Sequence, residues 1–498
     1  MNIKRMGSAL ILAYAITISV GCSTNNKTVT DPGQQVKDTA VNTFDTVKDT
    51  KSDVSDTGKD IAADIYDTKD SLDTSSPIKI KAFHGCTGQV DLSSVPPSNF
   101  IVAPYLIRPR PDRITIKWEA MNKEPAYLLW GLGGQITDCT CVSDPKRIPI
   151  DSTDVTTPDD GWLYSVTLTG LKTDTSYDYT LANARVPKAE PKDSMTRRPE
   201  WVPFGTAHFT TAPGPGKPFT LVVYGDNQPF GLELKPAIDQ IIKLGSDMVL
   251  HVGDIVHNGS VDEYRYNYFL TGSPLLRNIP HLYVAGNHEG HGQILPFDSF
   301  FPVPNQDPVT VDGKKILPGP RTGYFDYGNA RFFLLDSENP MGEGSNQFVW
   351  LNAMLKKTVK EHPEITWLFA SWHRPTFTEG NRVFIEPRVA IQNLMKRWKV
   401  DAVWNGHNHL YEHFLQDGVV YIVTGGGGAL LNGDVNGGTT YPDDNRLAAE
   451  SSFHIVRGNV GLTEATFQAI RTTDSRYGKA GSIIDTFTIH AKDRSDLK

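Results

Sequence analysis

The chain has few cysteines, no long apolar run and no basic cluster, and these absences narrow what it can be. Only 4 cysteines occur in 498 residues, so its stability must rest on packed cores, for which a hydrophobic content of 39% suffices. The apolar stretch at residues 9–20 is too short for a comfortable transmembrane span. A net charge of −8, with no basic run longer than a pair such as Lys4 and Arg5, gives no indication of nucleic-acid binding.

The N-terminus is typical of an exported protein. A Lys-Arg pair precedes the apolar residues 9–20, which is the pattern of a secretory signal. The stretch ends in Val-Gly-Cys and resembles a bacterial lipobox, with Ser19 where Leu is usual. The resemblance implies that residues 1–22 are a lipoprotein-type signal peptide and that lipid on Cys22 anchors the chain to the membrane, in the periplasm or at the cell surface. An ordinary signal peptide with a coincidental cysteine is the alternative.

Residues 23–97 are predicted to be a low-complexity, mostly disordered tether. They are rich in Asp, Thr, Ser and Lys and contain almost no aromatics. A segment of this composition cannot bury enough apolar surface to fold. Apolar residues at steps of three, four or seven leave a weak amphipathic helix as the alternative. Gly58 and the many Thr and Asp residues disfavour that helix.

Residues 98–212 change to short alternating strands, which predict an all-β sandwich. A Pro-Gly-Pro-Gly linker follows at 213–216. With Cys22 assigned to lipid, Cys86 is expected to pair with Cys139 or Cys141 in an oxidising compartment. The strands are expected at 113–119, 126–130, 164–168, 177–181 and 207–211.

The C-terminal half alternates strand and helix patterns, which indicates an α/β sheet buried on both faces. In such sheets ligands bind at the carboxyl ends of the strands. Helices are expected at 234–244, 348–358 and 389–398. The strands are expected at 220–224, 248–252, 282–285, 366–370, 402–404 and 419–423.

Five short motifs follow strand-like runs in this half, and all carry Asp, Asn or His. These side chains are suitable ligands for divalent metals, and an adjacent Gly lets the backbone turn sharply at a strand end. Together they predict a two-metal hydrolytic site. The motifs are Gly-Asp-Asn-Gln at 225–228, Gly-Asp-Ile-Val-His at 253–257, Gly-Asn-His-Glu at 286–289, Trp-His-Arg-Pro at 372–375 and Gly-His-Asn-His at 406–409.

In this order the motifs resemble the calcineurin-like metallophosphoesterase superfamily, over residues 219–490. The surrounding segments resemble those of the purple acid phosphatases, and residues 104–118 resemble the start of the fibronectin-III-like domain that precedes them. The resemblance implies an α/β metallophosphoesterase sandwich of two mixed sheets flanked by helices, preceded by an all-β fibronectin-III-like sandwich at 98–212. The surrounding segments are 324–329, 332–336, 347–351, 373–375 and 423–428.

The resemblance also implies a role for each motif residue. Asp254 would bridge two metals, because cations about 3.5–4 Å apart can share a deprotonated water and hold phosphate oxygens for attack. His288 would give a proton or hydrogen bond to the phosphoryl or leaving oxygen, which makes it the catalytic residue beside Asp254. The other implied ligands are Asp226 and His409 for the first metal, and Asn287, His373 and His407 for the second.

Two positions depart from the purple acid phosphatase pattern. His257 stands where those enzymes carry the tyrosine whose phenolate on ferric iron gives the colour, and Gln228 stands where Gly is usual. Either side chain could complete the first metal's shell. Without the phenolate, a divalent pair such as Mn, Zn or ferrous iron is favoured.

The predicted function is hydrolysis of a small phosphorylated molecule by metal-bound hydroxide, as an acid-phosphatase-type phosphomonoesterase. A phosphodiesterase or nucleotide-processing hydrolase is the first alternative, since the superfamily shares its ligands across these substrates. A non-catalytic surface-binding lipoprotein on a vestigial phosphatase fold is the second. No nucleic acid is expected as a structural partner, and the oligomeric state is not predicted. Arg374 contacts phosphate or lies on the surface, and His291 is a site or loop residue; the sequence leaves both open.

Overall fold

A computed structural model describes most of the chain from residue 95 onward, together with Cys86. The predicted signal peptide with Cys22 and nearly all of the predicted tether lie outside the described residues. No helix among the described residues is long and apolar enough to cross a membrane. The described residues are 86, 95–149, 161–188, 200–228, 234–291, 294–380, 388–432, 435 and 445–497.

The N-terminal region is built of strands alone, as its alternating pattern predicts. All strands expected there are present, with ends shifted by at most two residues. Cys86 and Cys139 form a disulfide, which confirms the expected pairing with one member of the Cys-x-Cys pair. The strands are β1 Ser98–Arg110, β2 Arg113–Ala120, β3 Ala126–Leu132, β4 Asp138–Val142, β5 Lys146–Arg147, β6 Trp162–Thr169, β7 Ser176–Leu181, β8 Ala184–Pro187, β9 Trp201–Pro203 and β10 Ala207–Thr210.

Two layers of these strands enclose one core. Strands β10, β7, β3 and β4 form a four-stranded sheet, and β1, β2, β6 and β5 face it. Trp118 stacks on Tyr164 in the core between them, at 5.3 Å between ring centroids. This all-β sandwich is consistent with the expected fibronectin-III-like domain.

The C-terminal region contains the remaining strands and the helices. In α1 the residues at 234, 237, 238, 241 and 242 are buried, which is the spacing of one helix face. The strands are β11 Phe219–Tyr224, β12 Met248–His251, β13 His281–Tyr283, β14 Val309–Val311, β15 Lys314–Ile316, β16 Gly323–Tyr327, β17 Ala330–Leu334, β18 Trp367–Ser371, β19 Ala402–Asn405, β20 Tyr411–Gln416, β21 Val419–Thr424, β22 Arg446–Glu450, β23 His454–Val460, β24 Glu464–Arg471 and β25 Ile483–His490. The helices are α1 Leu234–Leu244, α2 Val261–Glu263, a π-helix Tyr264–Phe269, α3 Leu270–Leu276, a 3₁₀ turn His288–Gly290, α4 Leu295–Phe300, α5 Asn346–Glu361, α6 Arg388–Arg397 and a 3₁₀ turn Ser495–Leu497.

Two mixed sheets pack face to face in this region. One contains the parallel strands β11, β12 and β13, extended by β23, β24 and β25; the other runs β16-β17-β18-β19-β21-β20-β22. Their apolar faces form a shared core that includes Leu250, Phe369 and Trp404. Helices α1 and α3 cover the first sheet, and α5 and α6 cover the second. This is the expected sandwich of two mixed sheets flanked by helices.

The two regions share one sheet. Strand β1 pairs in parallel with β13, with Ile107 opposite His281, so the N-terminal strands continue the first sheet of the C-terminal region. Across the same junction the Tyr105 hydroxyl donates to the carbonyl of Phe300 at 3.0 Å. This continuity was not predicted, because the Pro-Gly linker at 213–216 indicated separate units.

Candidate metal centre

The polar motif residues of the C-terminal region come together where the two sheets meet. Asp226, Asp254 and Asn287 follow β11, β12 and β13, three parallel neighbours of the first sheet. His373 follows β18 and His407 follows β19, which are parallel neighbours in the second sheet. Carboxyl ends of parallel strands lie at one edge of a sheet, so five loops converge on one crevice.

Two carboxylates and His373 lie at the centre of this crevice. Asp226, Asp254 and the His373 side chain are fully buried, at 0% exposure. Nε2 of His373 lies 3.1 Å from Asp254 Oδ2 and 4.0 Å from Asp226 Oδ1. The donor atoms of Asp254, His373 and His407 all lie within 4.8 Å of one another, which is compact enough to hold a metal ion.

The backbone is bent sharply at three of these residues. Asp226, Asp254 and His407 have positive φ angles of 59°, 55° and 71°. Such values are uncommon outside glycine and concentrate at functional sites, because the surrounding structure must hold them. A Cβ on Gly286 would lie 2.2 Å from Asp254 Oδ1, and one on Gly406 would lie 2.3 Å from Asp226 Oδ2. The motif glycines are therefore required by close approach to the carboxylates.

Hydrogen bonds fix the orientation of two imidazoles. Nδ1 of His373 contacts the Val252 carbonyl at 2.9 Å, and Nδ1 of His409 contacts the Leu430 carbonyl at 2.7 Å. A carbonyl only accepts, so each Nδ1 carries the proton and donates it. Each Nε2 then faces the carboxylates, and that of His409 lies 3.6 Å from Asp226 Oδ1. This is the tautomer and orientation of a metal-binding histidine.

The charges at the centre reinforce one another. Burial alone would disfavour protonated His373, but the carboxylates of Asp254 and Asp226 outweigh it and raise the pKa of His373 to about 10. Burial favours the neutral acid of Asp254, yet His373 and His288 hold its pKa below the ordinary value. The arrangement therefore stabilises positive charge placed between the two carboxylates.

Glu289 has a role in the centre that the sequence analysis did not assign. It is fully buried, and its carboxylate accepts the backbone N–H groups of Gly286 at 2.6 Å, Ile255 at 2.7 Å and Asp254 at 2.9 Å. Burial, and next the negative charge of Asp254, raise the pKa of Glu289 to about 7. Glu289 thus ties together the two loops that carry Asp254 and Asn287. Its place in the Gly-Asn-His-Glu motif was the one available signal.

Asn287 and His288 enter the centre from the loop after β13. Oδ1 of Asn287 lies 3.2 Å from Nε2 of His373. The backbone N–H of His288 donates to Asp254 Oδ1 at 2.9 Å, and its Nδ1 donates to the His257 carbonyl at 2.8 Å. Its Nε2 is directed inward, 3.8 Å from Asp254 Oδ2.

The structure places Gln228 and His257 differently. Gln228 is 3% exposed, and its Nε2 donates to Asp254 Oδ2 at 3.2 Å. Its Oε1 is buried and has no hydrogen-bond partner among the described residues. The His257 side chain is exposed, and its ring stacks on His288 at 4.9 Å between centroids. Gln228 therefore lies inside the carboxylate cluster, whereas His257 lies beside His288 at its rim.

Comparison with known proteins shows what this part of the chain is similar to. Residues 219–411 match the family model of the calcineurin-like phosphoesterases. Purple acid phosphatase 13 of Arabidopsis thaliana is 30% identical over 36% of this chain and 34% of its own length. A nucleotide pyrophosphatase/phosphodiesterase of Hordeum vulgare is 26% identical over 50% of this chain and 74% of its own.

A solved structure agrees with the phosphoesterase fold. Purple acid phosphatase from seeds of yellow lupin, Lupinus luteus, superposes with a TM-score of 0.62 at 19% identity, over 79% of this chain and 75% of that one. The chain is purple acid phosphatase-like in sequence and fold. The matched segment spans only about a third of the Arabidopsis relative, 34%.

The phosphoesterase family implies a binuclear metal centre, and the residues present fit one. Two buried carboxylates face imidazole Nε2 atoms, and Gln228, whose Nε2 contacts Asp254, has a buried Oε1 that finds no hydrogen-bond partner among the described residues. Carboxylate, amide oxygen and imidazole together suit Mn, Fe and Zn. His291 lies outside this set: its exposed ring contacts His288 at 4.3 Å between centroids.

Proposed function

We propose that the protein hydrolyses phosphate esters and that its main activity is phosphomonoesterase activity of the acid phosphatase type. The observation that carries the proposal is the buried pair Asp226 and Asp254, which lies among inward-facing imidazoles at the strand ends of a phosphoesterase domain. Buried carboxylates of this kind are costly unless a ligand neutralises them.

We propose the following assignment of ligands. Asp254 contacts both proposed sets of ligands, since its Oδ2 lies 3.2 Å from Nε2 of Gln228 and 3.1 Å from Nε2 of His373. It would therefore be the ligand shared by the two metals. The first metal is assigned to Asp226, His409 and Gln228, and the second to Asn287, His373 and His407. The side chain of His257 is exposed, so His257 is not assigned as a metal ligand.

The remaining residues orient and assist the reaction. Bound cations would supply Lewis acidity toward the phosphoryl oxygens and toward the attacking water. Glu289 holds the loops of Asp254 and Asn287 through backbone amides. His288, whose Nδ1 donates to the His257 carbonyl, would present Nε2 to the leaving oxygen and, from its imidazolium form, give that oxygen the Nε2 proton.

A divalent pair of Mn, Zn or ferrous iron is proposed as the occupant. The phenolate that gives purple enzymes their colour is replaced by His257, which is exposed and stacks on His288. The active protein should be colourless and contain two metals per chain. Visible charge-transfer absorption in the purified protein would refute this part of the proposal.

Phosphodiesterase or nucleotide-processing activity is the second candidate, because the Hordeum vulgare relative with that name is matched over 74% of its length. The deciding experiment compares release of p-nitrophenol from its monoester and its diester, with and without chelator and with metal restored. Chelator-sensitive preference for the monoester supports the proposal. Preference for the diester would favour the second candidate, and no metal-dependent hydrolysis of either would favour a non-catalytic surface lipoprotein.

We also propose an extracytoplasmic location with a lipid anchor on Cys22. The disulfide between Cys86 and Cys139 supports an oxidising compartment. If lipid on Cys22 holds the chain at the membrane, Cys22→Ser should move the protein from the membrane fraction to the soluble extracytoplasmic fraction. Unchanged fractionation would refute the anchor without bearing on the activity.

A further inference from the structure

Arg374 lies at the mouth of the metal centre on the loop that follows β18. Its Nη1 is 3.1 Å from Nε2 of His407, one of the proposed ligands of the second metal. The side chain is 28% exposed, so the guanidinium borders both the buried cluster and the solvent.

The orientation of Arg374 is fixed from outside the cluster. Its Nε donates to Glu338 Oε1 at 2.7 Å and its Nη2 donates to Glu338 Oε2 at 3.0 Å, a two-pronged ion pair. The backbone N–H of Arg374 donates to the Ser337 hydroxyl at 3.1 Å. Because Glu338 holds the outer edge of the planar guanidinium, Nη1 is the donor directed at the centre.

This geometry has a consequence for a loaded centre. A metal held by Nε2 of His407 would take the lone pair that Nη1 of Arg374 contacts, so Nη1 would have to move outward from this position. The pairing with Glu338 would keep the guanidinium at the mouth of the centre, where Nη1 would donate to a phosphoryl oxygen of the substrate. Arg374 would thus add a positive donor to the two cations.

Phosphate monoesters and diesters differ in what they can offer such a donor. A monoester dianion has three terminal oxygens, so one remains for a guanidinium after two metals have each taken one. A diester has two terminal oxygens and a single negative charge, and two metals use both. We propose that Arg374, oriented by Glu338, binds the third terminal oxygen of a phosphomonoester and makes the site selective for monoesters over diesters; this rests on the phosphatase function proposed above.

The test compares wild type, Arg374→Ala and Arg374→Lys on the monoester and the diester of p-nitrophenol. Arg374→Ala should lower kcat/KM for the monoester by about 10²–10³-fold, as expected for loss of one donor to the reacting oxygens. The diester value should change by less than about 3-fold. Arg374→Lys should restore part of the monoester activity, because the charge remains but the clamped geometry is lost.

Two measurements besides turnover separate this role from a structural one. Calorimetric binding of inorganic phosphate to the metal-loaded protein should weaken at least about 10-fold in Arg374→Ala, and elemental analysis should still find two metals per chain. Glu338→Gln should weaken phosphate binding less than Arg374→Ala does. The matched control is Arg113→Ala, which removes an arginine with the same two-pronged pairing to Asp112 at an exposed position of the N-terminal sandwich.

The possible results distinguish failure of this inference from failure of the proposed phosphatase function. Equal losses on monoester and diester would overturn the proposed selectivity, and loss of a metal in Arg374→Ala would show that Arg374 acts through His407. Unchanged phosphate binding would overturn the contact itself. If wild type hydrolyses neither ester with metal present, the phosphatase proposal fails; if wild type is active and only the Arg374 variants behave unexpectedly, this inference alone fails.

Discussion

Two buried carboxylate clusters in this chain balance their charge in different ways. At the junction of the two regions, Glu119 is 0% exposed and pairs with the guanidinium of Arg265 at 2.9 and 2.5 Å. In the centre, Asp226 and Asp254 are equally buried but lie against imidazoles and backbone N–H groups. A guanidinium is always charged, whereas an imidazole must be neutral to bind a metal.

The difference separates a structural cluster from a functional one. The charge of Glu119 is neutralised within the chain, so the junction needs no ligand. When the histidines of the centre are in their metal-binding form, the charge of Asp226 and Asp254 is left for cations to neutralise. Burial of a carboxylate therefore does not mark a site by itself; the chemistry of its partners does.

Removal of the Asp254 carboxylate should have the largest effect on metal content and turnover. Asp254→Ala should lose both metals and lower turnover by more than about 10³-fold, because the bridge between the cations is gone. The fold should persist, since the two cores do not depend on this side chain. Metal content and circular dichroism check both points. Asp239→Ala in the exposed pair with Lys235 is the control, and two retained metals in Asp254→Ala would end the bridging assignment.

The centre should also contain a residue that acts without binding metal. His288→Ala should lower kcat by about 10²–10⁴-fold with metal content unchanged. Nε2 of His288 lies 3.8 Å from Asp254 Oδ2, which leaves it placed to contact the leaving oxygen. His291→Ala is the matched control, since its exposed ring lies beside His288. Loss of one metal from His288→Ala would show that His288 is itself a metal ligand.

Much of the phosphoesterase region could be predicted from sequence because its signals are local. Helix α1 has the predicted bounds, and strands β11 and β21 differ from prediction by one residue at one end. Buried parallel strands read as short apolar runs, and the Gly-Asp and Gly-Asn pairs mark their ends. Asp226, Asp254 and His373 follow such runs and lie together in the structure.

What sequence could not predict depends on contacts between distant residues. The pairing of β1 with β13 joins segments more than 170 residues apart, Ile107 and His281, and leaves no periodic signal. In the sequence Glu289 is an ordinary acidic residue. Its role follows only from its contacts with the backbone N–H groups of Asp254 and Ile255. The choice between Gln228 and His257 rested on which side chain turns inward, and one position after a strand end does not determine that.

Removal of the buried ion pair between Glu119 and Arg265 should lower the free energy of unfolding and leave the metal centre unchanged. Glu119→Ala removes the buried carboxylate partner of Arg265 and leaves it the partly exposed Asp262 at 3.3 Å, so the free energy of unfolding should fall by about 3 kcal/mol. Metal content and kcat of the folded protein should not change. Urea unfolding gives the stability, and Arg113→Ala at an exposed pair, worth about 0–1 kcal/mol, is the control. Loss of metal in folded Glu119→Ala would show that the two clusters are coupled.

The smallest effect is a pH dependence at the same junction. His281 is 1% exposed, its Nδ1 donates to the Ile279 carbonyl at 2.8 Å, and burial lowers its pKa to about 4. An unfolded histidine titrates near 6.5, so between about pH 6.5 and pH 4 the unfolded state binds more protons and stability falls as pH falls. From pH 7 to pH 5 this histidine should remove about 2 kcal/mol of the free energy of unfolding.

Replacing that histidine should remove its part of the pH dependence. In His281→Phe, which keeps a ring against Tyr283, the loss of unfolding free energy between pH 7 and pH 5 should be smaller than in wild type by about 2 kcal/mol. His490→Phe, at a side chain that is 74% exposed, should keep the wild-type slope. Urea unfolding at both pH values measures the difference. An unchanged slope in His281→Phe would mean that the junction opens to solvent before His281 is protonated, and that it is less rigid than its contacts with β1 indicate.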